Sequence, residues 1–450
     1  MSHRLLRNAA VVLMLMLAVL APHVVDAQGN CSIFRSWNTG DSLSAGDLSA
    51  SFTTVGVTND TFACLSDYSA TESQMQTTTD PYPSSAASLA TTGQGELERL
   101  RYVIKKLTGW SQWYAHTEAL TNLDRGAIWG LGLSNGTDAT NDIDIAVGQA
   151  TSSDGTGTLV LASALTKQLD AAWSVGSAAG GLDVGTIANG TYHIYLIKRT
   201  DTSIVDALFS RNPDRAATIT VTIASPGVVT WADHGLQIGS SLTFTTTGAL
   251  PTGLVAGTRY YVITAGFGTG SFQVSATEGG SAVNTSGTQS GVHTGTSSPV
   301  LPTSYTLKRR LGSIPRASAT LLGFTQDGDE FLRKAPVLDV NTTDPGTSAV
   351  TSTLSVPVGI KVRAYVIAYL NDSTPSATTV WFSSLDQTDT AASHTNGTAH
   401  VSTGTASQQA STALFLRTSV AAQVRYRAEV SAAGVTVRIS TQGWIDTRGR

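Results

Sequence analysis

The segment Thr191-Tyr192-His193-Ile194-Tyr195-Leu196-Ile197-Lys198 alternates along its length. Tyr192, Ile194 and Leu196 alternate with His193 and Tyr195, and a period of two places each set on its own face of a β-strand. Asn189-Gly190 just before it is a tight-turn signal, as are Asp154-Gly155 and Asn135-Gly136 further upstream. Between these turns, Ile143 to Gly148 and Thr158 to Ala162 alternate or run apolar. Residues 118–215 therefore read as antiparallel hairpins, closed by the turn-like Arg211-Asn212-Pro213-Asp214-Arg215.

The same pattern continues downstream with changes of character. Thr218 to Ala224, Ser241 to Thr247, Thr258 to Thr264 and Gly270 to Thr277 are four short strands separated by Gly- or Pro-bearing turns. The chain then resumes at Leu301-Pro302-Thr303-Ser304-Tyr305 with a basic strand, Thr306 to Leu311. Residues 216–300 read as a small β module inserted into a discontinuous β domain made of 118–215 and 301–335. In 336–450, alternation recurs in Lys361 to Leu370, Thr379 to Ser383, Ala413 to Thr418, Val424 to Val430 and Val435 to Ile439. Short strands with no helix between them predict a C-terminal β-sandwich or jelly roll. The expected fold class is mostly β, with several antiparallel sandwich-like domains, an extended N-terminal arm and one short helix.

The first 117 residues carry other signals. Arg4 and Arg7 precede an apolar run, Ala9 to Ala21, and Val25-Asp26-Ala27 offers small residues around a cleavage point. Residues 1–27 are a signal-like leader: cleavage after Ala27 and export is one reading, a retained apolar segment the other. Cys31 and Cys64 are the only two cysteines; one structural disulfide closing a loop of about 30 residues is expected, with free buried thiols the alternative. Residues 28–92 are polar and aperiodic, an extended attachment arm ending in the linker-like Asp80-Pro81-Tyr82-Pro83. The helix is 95–109, where Leu97, Leu100, Ile104 and Leu107 recur at spacings of three and four and Gly109 supplies the stop. A stripe this short is marginal alone, and its spacing would let identical copies pack on it. An ordinary amphipathic helix packed on its own domain is the competing reading. Trp110, Trp113 and Tyr114 complete an oligomerisation segment, 93–117, as an aromatic collar.

Composition narrows function more than any motif does. Charged residues make up 13% of the chain and the formal net charge is −4. The usual charged share is about 25%. With no basic stripe, nucleic acid is not an expected partner. There is no Gly-x-Ser-x-Gly elbow, His-Glu-x-x-His pair, P-loop or dinucleotide-binding glycine motif, so no catalytic, metal-binding or cofactor-binding residue is assigned. Gly266 to Gly270 lies between strands and reads as a hairpin loop. His394 and His400, lacking carboxylate or Cys company, read as surface-loop residues. Asp327, Asp329 and Glu330 read as a solvated turn rather than a hydrolytic carboxylate pair. Trp381 and Phe382, and Trp231 beside Asp233-His234-Gly235, read as core before sugar platform.

Three stretches resemble virion proteins of tailed bacteriophages, of the tail-appendage or tail-fibre class. Trp37-Asn38-Thr39-Gly40-Asp41-Ser42-Leu43, with Asp47-Leu48 and Phe52, is similar to the start of many phage fibre proteins. His234-Gly235-Leu236, Thr247 to Leu254, Tyr260-Tyr261-Val262-Ile263 and Ser271 to Ser275 resemble a small β module that recurs in phage tail and structural proteins. Val205 to Ser210, with Tyr305, Arg309 to Ile314 and Phe324 to Phe331, is similar to a segment these appendage proteins share. The resemblance implies a non-enzymatic structural component of the virion, commonly a homotrimer, attached by its N-terminal part and displaying its β domains outward. Its expected partners are copies of itself, other virion proteins and a host-surface glycan or protein. Such proteins normally lack a secretory leader, so residues 1–27 keep open a secreted bacterial surface or carbohydrate-binding protein carrying phage-type modules.

Overall fold

The computed structural model describes residues 126–449 apart from 375–376, 390–398 and 406, together with the backbone of two short strands, His23–Val25 and Cys31–Ile33. These two pair antiparallel, with Val25 opposite Cys31. The expected helix at 95–109, with Leu97, Leu100, Ile104 and Leu107, lies outside the described residues, as does Cys64. The described protein is all β, and no helix occurs in it.

Gly190–Arg199 pairs antiparallel on one side with Val205–Ser210 and on the other with Tyr305–Ala317. Its residues 191–197 are buried without interruption, so both faces are covered. Tyr192, Ile194 and Leu196 enter the main core, while Tyr195 and Ile197 join Leu208 and Tyr305 in a smaller one. The alternation seen in the sequence thus separates two cores rather than core from solvent. Ile194 faces Gly312 and Tyr195 faces Arg310, which makes Leu311 the extra residue of a bulge. Gly312 permits the close packing there, since a Cβ would come within 2.8 Å of Leu133 and 3.0 Å of Phe331. Beyond Val205–Ser210 the sheet continues through Ala179–Leu182, Leu165–Ala172, Asp142–Ile145 and Leu133–Asn135. The two ladders flanking Ala179–Leu182 are parallel and the others antiparallel. A three-stranded sheet, Ile128–Gly130, Gly148–Thr151 and Thr158–Leu161, adds Ala150, Leu159 and Leu161 to the main core.

Seven strands between Arg215 and Ser297 form their own sheet around a separate core that includes Trp231, Phe244, Tyr260 and Phe272. Its first strand, Arg215–Val221, pairs with its last, His293–Ser297, Arg215 lying opposite Ser297. The chain therefore leaves and re-enters the larger sheet at adjacent points.

The C-terminal part is a pair of sheets. One holds Phe324–Asp327, Glu330–Thr343, Val435–Ile445, Arg363–Asp372 and Gln408–Arg417; the other holds Val350–Thr353, Gln423–Ala428, Thr379–Ser383 and Ala399–Ser402. Val366, Leu370 and Val437 from the first share a core with Val380, Phe382 and Tyr426 from the second. That core runs without a break into the eight-stranded sheet, and the stacked rings of Phe331 and Trp444, 5.4 Å apart and 2° from parallel, lie within it. Burying an aromatic side chain removes about 150–250 Å² from water. At roughly 25 cal/mol/Å² each ring contributes a gross ~4–6 kcal/mol.

Candidate functional site

The bulged strand Tyr305–Ala317 carries the basic run Lys308-Arg309-Arg310, and three parts of the chain converge on it. The result is a cleft of about 500 Å³. Tyr195, Arg309 and Arg310 come from the large sheet, and Pro213, Asp214 and Arg215 from the entry to the inserted module. Gly359, Ile360, Lys361 and Val420 come from the sandwich, and Thr447, Arg448 and Gly449 from the C-terminal segment. The wall thus holds five cations, Arg215, Arg309, Arg310, Lys361 and Arg448, against the single carboxylate of Asp214.

Most of these cations are held from behind. Arg310 grips Asp446 with both terminal nitrogens, Nη2 donating to Oδ1 at 2.8 Å, and its Nη1 also donates to Ser313 Oγ at 3.1 Å. Burial alone would raise the Asp446 carboxyl; Arg310 beside it and the N–H of Arg448, 2.8 Å from Oδ1, outweigh burial and hold it below the ordinary carboxylate range. Arg448 Nε donates to Asp329 Oδ1 at 2.9 Å, and Lys361 Nζ to Asp386 Oδ1 at 2.5 Å. Arg309 Nη2 donates to the Gly126 carbonyl at 3.0 Å, and Lys308 Nζ to Asp214 at 2.6 Å. Arg215 differs: its Nη1 donates to the main-chain carbonyls of Asp233 (2.8 Å) and His234 (3.0 Å), and its other nitrogens meet no acceptor among the described residues.

Beneath the cleft lies a sealed polar layer. His193 Nδ1 is 2.8 Å from Ser313 Oγ, and both residues are fully buried. Ser313 Oγ also accepts from Arg310 Nη1, so the three side chains form one polar chain. His193 Nε2 has no hydrogen-bond partner among the described residues and faces Gly359, where a Cβ would approach it to 3.0 Å. Burial first, and the Arg310 charge second, push the imidazole down to about 3, so His193 is neutral at ordinary pH. A serine and histidine this far from solvent tie the large sheet to Arg310 and the C-terminal segment. They present no nucleophile to a ligand.

The residues singled out in the sequence fall elsewhere. Trp381 and Phe382 are buried in the sandwich core and Trp231 in that of the module. His234 is structural: its Nε2 donates to the Gly268 carbonyl at 2.6 Å, its Nδ1 accepts from the Leu236 N–H at 2.9 Å, and burial lowers its pKa. Gly268 also closes the hairpin loop, its N–H donating to the Ser271 carbonyl. Asp327 and Glu330 are cross-strand partners at a hairpin, whereas Asp329 engages Arg448. His400 lies against Trp381, ring centroids 4.9 Å apart, and His394 lies outside the described residues. No group of three or more His, Cys, Asp or Glu side chains among the described residues could hold a metal ion. The cleft itself went unread. Its one sequence signal was Lys308-Arg309-Arg310, a dense run in a chain with few charges. Two further features were silent in the sequence. Lys167 and Asp206, each 1% exposed, form a buried pair at 3.2 Å, and burial lowers the Lys167 pKa. The sandwich's outer face stacks Tyr365 on Phe415, centroids 5.1 Å apart, with Arg363 over Phe415 and Arg438 over Tyr369.

No known protein family matches the chain, and no curated protein does. Among solved structures it is weakly similar to a cryo-EM structure of Broad Bean Stain Virus, with 10% identity over 59% of this chain and 92% of that one and a TM-score of 0.16. A Bacillus thuringiensis Cry1Da tryptic core variant is similar at 10% identity over 57% of this chain and 51% of the other, with a TM-score of 0.14. Both neighbours are mostly β. Scores this low carry no argument about function.

Proposed function

We propose that this chain is a non-enzymatic structural component of a bacteriophage virion, of the tail-appendage or fibre class. Its N-terminal part attaches to the particle, copies associate as a homotrimer through 93–117, and the β body is displayed toward the host surface. The observation that supports this reading is the inserted unit. The stretch whose sequence resembles a recurrent phage β module has its own sheet and core, entered and left through paired strands. A β module with its own core, carried on a continuous β body, suits a protein that presents surfaces.

Light scattering on the purified full-length chain tests the assembly. About three times the protomer mass is expected, and replacing both Leu100 and Ile104 by Asp should reduce it to one. A wild-type monomer, or a trimer indifferent to that double substitution, removes the proposed seam. Mass spectrometry of purified phage particles tests location: peptides from 126–449 in the particle support the virion reading. Their presence only in the culture fluid supports a secreted surface protein instead.

A further inference from the structure

We propose that the cleft between the bulged strand, the module entry and the sandwich binds a sugar-sized ligand bearing an oxyanion, either carboxylate, sulfate or phosphate. This goes beyond the virion reading and does not depend on it.

Charge is the first argument. The protein is net negative and poor in charged residues, yet five of its 28 Lys and Arg residues line one concavity beside a single carboxylate. Concave walls of one sign focus their field on whatever enters. The donors are also pre-organised. Arg310 is locked on Asp446 and Arg448 on Asp329, so their positions cost little further entropy when a ligand arrives. Those two pairs are largely neutralised by their own carboxylates, and the same holds for Lys361 on Asp386, whose side chain is a third exposed. Arg215 makes no side-chain ion pair among the described residues and feels only the nearby Asp233 charge. Main-chain carbonyls orient its guanidinium at Nη1, while Nε and Nη2 remain for a planar oxyanion that accepts two parallel N–H bonds.

Shape supplies the second argument. A volume of about 500 Å³ falls within the range of small-molecule sites and far exceeds the need of a lone inorganic ion. Pro213, Ile360 and Val420 give part of the wall an apolar surface, against which the C–H face of a sugar ring can pack. Tyr195 lines the floor, and its hydroxyl, kept protonated because burial raises its pKa well above the ordinary phenol value, donates to the Asn212 carbonyl at 3.3 Å, so it adds a neutral wall and no competing charge. An acidic saccharide unit matches this combination of one oxyanion, one apolar face and hydroxyls.

Isothermal titration of the full-length protein at constant ionic strength, using glucuronic acid, inorganic sulfate and glucose, tests the proposal. Glucuronic acid is expected to bind saturably, glucose not at all, and sulfate to compete for the site more weakly. Arg215→Gln, which removes the guanidinium charge, should weaken glucuronic acid about tenfold, the effect of one charge-assisted hydrogen bond. Lys361→Gln is a second reporter, at a side chain that is a third exposed. It should weaken binding several-fold. Sulfate binding as tightly as glucuronic acid would overturn the sugar assignment in favour of a plain anion site. Equal binding of glucose, absence of saturable heat, or affinity unchanged in both variants would overturn the proposal itself.

Discussion

At the scale of single residues, His193 is the group whose chemistry departs furthest from its free state. It sits between Ser313 and Gly359 with Arg310 and Asp446 nearby, and its pKa falls to about 3. An unfolded imidazole takes up its proton near pH 6.5. Between that pH and about 3 the unfolded chain therefore binds more protons than the folded one, and stability falls as pH is lowered through the window. The contribution is complete above pH 6.5 and drains at a rate on the order of 1 kcal/mol per pH unit. His193→Gln should be less stable than wild type at pH 7, and the gap should narrow toward pH 4. Urea unfolding midpoints across pH 4–7 measure this. Parallel curves for the two proteins would show that the proton is taken up elsewhere.

At the scale of elements, the strand Val435–Ile445 is the central strand of the five-stranded sheet. It pairs with Glu330–Thr343 on one side and Arg363–Asp372 on the other. Trp444 lies on it, stacked on Phe331 with no exposure, and its indole N–H has no acceptor among the described residues. The ring is therefore held by packing alone. Trp444→Ala should cost about 3–5 kcal/mol, the usual penalty for emptying an aromatic site. Trp444→Phe, which keeps the stack and removes a buried donor without a partner, should cost distinctly less. Denaturant unfolding of the two variants checks the order, and equal losses would show that the indole nitrogen, not the stacked ring, is what the site requires. Strands were the most legible elements in the sequence. The alternation in Thr191 to Lys198 and in Lys361 to Leu370 corresponds to Gly190–Arg199 and Arg363–Asp372. Burial of both faces of the first was not legible, because its second face packs with Leu208 of the adjacent hairpin strand and with Tyr305, which only pairing with a strand far downstream brings there.

At the scale of the whole molecule, two kinds of junction hold the body together. The eight-stranded sheet and the sandwich share one apolar core. The inserted module instead docks through polar contacts: Gln237 with both main-chain groups of Thr191, Arg211 with Glu278 and the Ile238 carbonyl, and Asn212 with Ser241. A unit with its own core and a polar seam should fold alone. Residues 215–297 expressed separately are expected to give a dispersed amide NMR spectrum and a cooperative melt. A collapsed spectrum would mean that the seam contributes more than its polar character implies.

The order of residues by itself determined that this chain is β. Period-two alternation between Gly-bearing turns is a local property, and the backbone answers to it strand by strand. The same local signals marked the polar break at 211–215 and the basic run at 308–310. The cleft was decided only by tertiary structure. Arg310 and Asp446 meet across 136 positions, and Arg215 faces Lys361 and Arg448 only because an inserted sheet returns the chain beside its point of exit. Such encounters depend on which strands pair and on a bulge at Leu311 that resets the register. No spacing along the chain encodes that, because contact between distant charges is fixed by the packing of the sheets that carry them.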